Sequence, residues 1–136
     1  MTNRERPMKS AGKDAIKAFK KLPTQVRDGI RGGSGRAEIR DYLAPGEMAG
    51  VLMASRVTLE AGAAIGEHLH SDTEELYVIL QGQGRGLLDG ESFPVERGDA
   101  FLLKAGHTHG LINDGGEPLT FFAVLTRGEE GEDKEG

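Results

Sequence analysis

The four histidines of this chain fall as two His-x-His pairs, His68 and His70 in GEHLHSDTEEL and His107 and His109 in KAGHTHGLIN. On extended backbone, side chains at i and i+2 share a face, so His68 and His70 aim together. Two imidazoles converging from one strand make poor core material, because every buried ring nitrogen needs a partner. They make good metal ligands. Glu75, at the head of the next apolar run, can add a carboxylate from a neighbouring direction. Period-two alternation in that run sets Glu75, Tyr77, Ile79 and Gln81 on one face and Glu74 on the other. A further ligand must come from a distant strand, and the second pair offers His107 and His109.

The elements that would position these groups read as short strands. VLMASRVTL alternates along Val51, Met53, Ser55, Val57 and Leu59, and EELYVILQ is rich in β-formers. GRGLLDGESFPVERGDAFLL holds two runs joined at Asp89-Gly90, a dipeptide that favours a type I′ hairpin. HGLINDGGEPLTFFAVLT reads as strand, turn, strand, and RAEIRDYL is a further strand upstream. Only KDAIKAFKKL, from Lys13 to Leu22, looks helical, with Ile16 and Phe19 as a thin apolar edge. GGSG at Gly32 to Gly35 reads as a turn or linker into the first strand. Short strands with turn signals at close intervals predict an all-β antiparallel sandwich or barrel.

Composition narrows the class. A chain of 136 residues, 37% hydrophobic, suits one domain with a real core. It has no cysteine, which excludes disulfides and thiolate metal sites. The net charge of −5 conceals a basic N-terminal arm over residues 1–35 and an acidic tail over 127–136, flanking a barrel over 36–126. Phe19 is the single aromatic among these basic residues, which makes no stacking platform, so no nucleic-acid partner is expected. No apolar run approaches a membrane span, and no signal-peptide core precedes the domain. A cytoplasmic protein with no membrane partner is the expectation.

At this point the chain resembles a known family. GAAIGEHLHSDTEELYVILQG is similar to the first cupin motif, with Gly62, His68, His70, Glu75 and Gly82 on its positions. GDAFLLKAGHTHGLIN is similar to the second, with Gly98, Gly106, His109 and Asn113 on theirs. One position departs, since Lys104 stands where the motif has proline. The resemblance implies a jelly-roll barrel, a double-stranded β-helix. Its two motifs would meet inside as a metal site of His68, His70, Glu75 and His109. Three imidazoles and one carboxylate suit one divalent transition metal ion, whether Mn, Fe, Co, Ni, Cu or Zn. Such a set leaves positions open to a ligand, as catalysis requires.

A metalloenzyme acting on a small oxygen-rich molecule is therefore expected. Its substrate would be a dicarboxylate, sugar acid or dicarbonyl, and its reaction oxygenation, decarboxylation or isomerisation. The alternative is a metal-dependent module that binds or senses such a molecule without turnover. Tyr77 and His107 are the candidate catalytic groups, the first as a hydrogen-bonding phenol and the second as an acid or base at the pocket mouth. Tyr77, Ile79 and Leu111 are expected to line a small apolar pocket. Arg56 or Arg85 could clamp a carboxylate, and Lys104 could reach an anion, although such side chains ordinarily face water. Sheet edges in so small a barrel need cover. Small cupins commonly pair, so a homodimer is expected, with Ala37 to Leu43 near the contact.

Overall fold

The computed structural model describes residues 15–128. Ten strands run through them: β1 (Thr24–Asp28), β2 (Arg36–Leu43), β3 (Val51–Leu59), β4 (Ala64–His70), β5 (Thr73–Gln81), β6 (Gln83–Leu88), β7 (Glu91–Glu96), β8 (Ala100–Leu103), β9 (His107–Ile112) and β10 (Leu119–Arg127). They form two antiparallel sheets, one ordered β1-β2-β3-β10-β5-β8 and the other β4-β9-β6-β7. Neighbours distant in sequence lie side by side, which is the jelly-roll arrangement that the motifs imply.

The expected strands and turns are present. At the β6–β7 turn, Asp89 and Gly90 have φ of 48° and 82°, so both central residues take the positive φ of a type I′ hairpin. The inward residues of both sheets meet in a core where Leu59, Ile79, Leu103, Leu111, Leu119 and Phe121 are 0–1% exposed. The rings of Phe93 and Tyr77 each pack edge-on against Phe101, at centroid separations of 5.0 and 5.9 Å. Asn113 is fully buried and serves the loops. Its Nδ2 donates to the carbonyls of Leu59, Glu60 and Glu117, and its Oδ1 accepts from Gly115 N–H. The motif asparagine is thus a staple between loops and has no place among the metal-ligand candidates.

The N-terminal reading needs correction. Lys13 and Asp14 lie outside the described residues; of the rest of the expected helix Ala15 is α-helical, residues 16–18 are not, and a 3-10 turn follows at Phe19–Lys21. Ala18 and Leu22 on either side are extended, with ψ of 123° and 143°. Pro23 disfavours helix at Leu22, and a single amphipathic stretch this short does not sustain itself. The arm also carries β1, which pairs with β2 from Thr24↔Arg40 to Asp28↔Arg36. GGSG therefore leads into the second strand. Of the acidic tail expected over 127–136, Arg127 ends β10, and the residues from 129 lie outside the described residues. Among the described residues, no helix is long and apolar enough to cross a membrane.

Candidate metal centre

Strands β4 and β9 pair so that His68 faces His109 and His70 faces His107, while Glu75 arrives from β5 in the opposite sheet. One irregularity decides which way the histidines point. Ile65 pairs with Leu111 and His68 with His109, so three steps on β4 match two on β9. This is a β-bulge at Gly66 and Glu67. Ile65 is buried in the core, and regular alternation from it would aim His68 and His70 outward. The extra residue reverses the parity and turns both rings inward.

The rings of His68, His70 and His109 then surround one point, with centroids 4.8 to 4.9 Å apart. The ligand atoms of His68, His70, Glu75 and His109 all lie within 4.8 Å of one another, a spread close to that of ligands sharing one transition-metal ion. His70, Glu75 and His109 are buried and His68 is half-buried, so solvent reaches the group past His68. His68 Nδ1 is 2.7 Å from Gly66 O, and His70 Nδ1 is 2.7 Å from Thr73 Oγ1. These contacts leave Nε2 of each ring for the centre. Glu75 Oε1 lies 3.1 Å from His109 Nε2 and 3.4 Å from His70 Nε2.

The residues fit a cation. Nε2 of His70 and Nδ1 of His109 are buried with no hydrogen-bond partner, a costly state for polar nitrogen in a protein interior. For His70 the orphaned atom is the one facing Glu75. Desolvation holds His68 and His70 below the ordinary imidazole value of 6.5, which keeps their ligating lone pairs free. These four side chains could hold a metal ion.

Tyr77 is buried beside them, its hydroxyl 3.4 Å from His109 Nε2 and its ring 4.8 Å from the His109 ring. Burial first, then the Glu75 carboxylate, pushes its phenol well above the ordinary value of 10.0. It stays protonated and can donate a hydrogen bond, but it is no base. Ile79 and Leu111 are packed into the core at 1% and 0% exposure, so the expected pocket lined by them is filled.

The other candidates lie elsewhere. His107 is half-exposed at the start of β9, its Nδ1 2.6 Å from Asp89 Oδ2. Arg56 lies over the Phe19 ring, 5.1 Å from its centroid, and Arg85 donates to Ser92 Oγ. Lys104, at the motif proline position, is 2.8 Å from Glu74 Oε2. Gln81 is exposed, because a second irregularity pairs Ile79 with Phe121 and Gln81 with Thr120, leaving Leu80 as the extra residue. A broad open groove lies away from the histidines, lined by Ile16, Phe19, Leu22, Ile39, Leu43 and Met53 among others. Sequence reasoning passed over Arg31, which acts electrostatically on His68, His70 and Tyr77. Its place between glycines in a basic arm gave no signal of this.

Comparison with known proteins adds four findings. A family model described as "Cupin domain" matches residues 55–125. An oxalate-binding protein of Thermotoga maritima is 29% identical over 119 residues, 87% of this chain and 98% of that protein. Among solved structures, a predicted oxalate decarboxylase from Thermotoga maritima superposes with a TM-score of 0.79 at 27% identity, over 82% of this chain and 98% of that one. A sugar phosphate isomerase of the cupin superfamily from Silicibacter pomeroyi gives 0.67 at 23% identity, over 81% and 74% of the two chains, a likeness of fold.

Proposed function

The chain belongs to the cupin family, and on that premise we propose that it is a metal-dependent protein acting on a small oxygen-rich carboxylate of the oxalate class. The observation that carries this reading is the His68–His70–Glu75–His109 group, buried except at His68, with its orphaned nitrogen at His70. The oxalate-binding relative supports the ligand class. A divalent ion held there would polarise a carboxylate or carbonyl oxygen as a Lewis acid. The protein's own part is to keep His68 and His70 neutral and oriented through Gly66 O and Thr73 Oγ1. Tyr77 donates its O–H toward a bound oxygen.

Two outcomes follow for the bound molecule. Turnover by decarboxylation, oxygenation or isomerisation is favoured by the Tyr77 donor beside the centre. Capture without turnover is favoured by a different observation: Glu75 is the only buried carboxylate among the described residues. Protein purified without chelator should carry close to one transition metal per chain by elemental analysis, and the His68→Ala, His109→Ala double variant should carry none. Retained stoichiometric metal in that variant would sink the reading. Incubation of Mn, Fe, Co, Ni, Cu and Zn forms with oxalate under air and under argon then separates the outcomes, since product assigns turnover and saturable binding without product assigns capture.

The same reading makes the protein a homodimer. Every residue of edge strand β1 is exposed, and Ile16, Phe19, Val26 and Met48 are apolar side chains 37–58% exposed. The groove between the N-terminal segment and β2 is the face a second copy would cover, near Ala37 to Leu43. A clean monomer in sedimentation at micromolar concentration would refute the pairing.

A further inference from the structure

Arg31 stands out first by its backbone. It sits at φ 54° and ψ 41° inside the 3-10 turn Ile30–Gly32. Among the described residues only Asp89 shares a positive φ without being glycine. Asp89 occupies a hairpin turn that asks for this conformation from a residue type that tolerates it. Arginine has no such tolerance, and strain of this kind gathers at functional positions.

The turn is pressed onto β4. A Cβ on Gly66 would lie 2.1 Å from the Arg31 carbonyl oxygen, and one on Gly33 would lie 2.0 Å from Ala64 O. Ser34 and Ala64 exchange backbone hydrogen bonds beside this contact. Arg31 is therefore fixed against the bulged residue whose carbonyl holds His68. His68 is also the ligand candidate that solvent reaches.

The side chain completes the case. Arg31 is exposed and makes no hydrogen bond or ion pair among the described residues. Among the described residues it is the only Lys or Arg that acts electrostatically on His68, His70 and Tyr77. The other cations considered are engaged: Lys104 with Glu74, Arg85 with Ser92 and Arg56 over Phe19. A divalent ion with Glu75 leaves one net positive charge at the centre. Arg31 adds a second, and the sum matches a dianion.

We propose that Arg31 is the specificity-determining residue of this centre, its guanidinium meeting the outward-facing carboxylate oxygens of a dianionic ligand that chelates at the histidine site through its other oxygens. The assignment rests on the metal-dependent reading above. Guanidinium suits the task because its fork donates to two carboxylate oxygens at once, which an ammonium does not reproduce.

The test uses cobalt-loaded full-length protein and spectral titration with two chelators of like bite. Oxalate carries two negative charges and glycolate one. Arg31→Gln should weaken oxalate by about tenfold or more, as loss of a charge-assisted pair implies. Glycolate affinity and cobalt content should hold, and Arg31→Lys should fall between. Arg31→Gly should lose oxalate as Gln does while melting no lower than wild type, because glycine accepts the left-handed backbone. Unchanged oxalate affinity in Arg31→Gln, or equal losses for both chelators, would overturn the assignment while leaving the metal site standing. Cobalt-loaded wild type that binds neither chelator would overturn the assignment together with the reading beneath it.

Discussion

Strands β4 and β9 carry polar groups on both faces. Inward, His68, His70 and His109 gather with Glu75 in the barrel. On the solvent side, Thr108 donates its hydroxyl to Glu67 at 2.6 Å, Gly90 N–H donates to Glu67 at 2.8 Å, and Thr108 N–H donates to Asp89 at 3.0 Å. The residue types overlap, yet different forces rule the two sets. Inside, desolvation is the largest influence on His68 and His70 and drives both toward neutrality. Outside, hydrogen bonds outweigh desolvation and hold the Glu67 and Asp89 carboxyls below their ordinary values. The inner set cannot be satisfied by protein alone, whereas the outer set already is. Ligand binding belongs with the unsatisfied set.

Removing an inner carboxylate should have the largest effect on this contrast. Glu75→Gln keeps the shape but discards the charge and one anionic donor. Metal affinity should fall by more than about 100-fold, beyond what loss of a group behind the ligands costs. Chelator competition measures it, and an unchanged constant would erase the distinction between the faces.

Acid should act next, in two separate windows. His68 and His70 have folded values below their unfolded value of 6.5, so below that pH the unfolded chain takes up protons the folded chain refuses. Metal-free protein should lose stability as pH falls from about 6.5, and these two groups should contribute nothing above it. Glu67 and Asp89 are shifted down from 4.5 and 3.8, so their stabilisation is complete above those values and fades only below them. Urea midpoints across pH should show both steps, and a His68→Ala, His70→Ala variant should lack the upper one. Its persistence there would place the cause elsewhere.

The smallest effect belongs to the outer face. Thr108→Val removes the hydroxyl that ties Glu67 to β9, yet both carboxylates stay in water. The thermal midpoint should drop by about 2 °C at most. Metal content should not change. A large loss of metal in that variant would mean that the two faces are coupled.

The ligand group was legible because histidine pairing, glycine positions and strand period all live in local sequence. The hairpin at Asp89-Gly90 was legible for the same reason. What escaped was long-range or irregular. Strict alternation cannot announce a bulge, so it placed Gln81 beside Tyr77 when the extra residue at Leu80 leaves it exposed. It also gave no warning that Ile65 and His68 could both point inward. The helix over Lys13 to Leu22 does not continue past Ala15, where extended residues and a 3-10 turn lead into Pro23. β1 was passed over because its residues TQVRD are all exposed and carry no apolar period. Arg31 went unread because its importance comes from backbone contacts with Gly66, a partner far along the chain.

Gly66 is the spare residue of the β4 bulge and also the seat of the Arg31 turn. An in-frame deletion of that single codon would give an unbroken strand in which His68 and His70 still follow Ile65 with the right parity. His68 would need a new carbonyl partner, and the turn would lose the place where it rests. The ligands and the turn that packs against their strand would thus respond separately to one deletion. A lineage could release the turn by one small genetic step while the inward parity of the histidines survives.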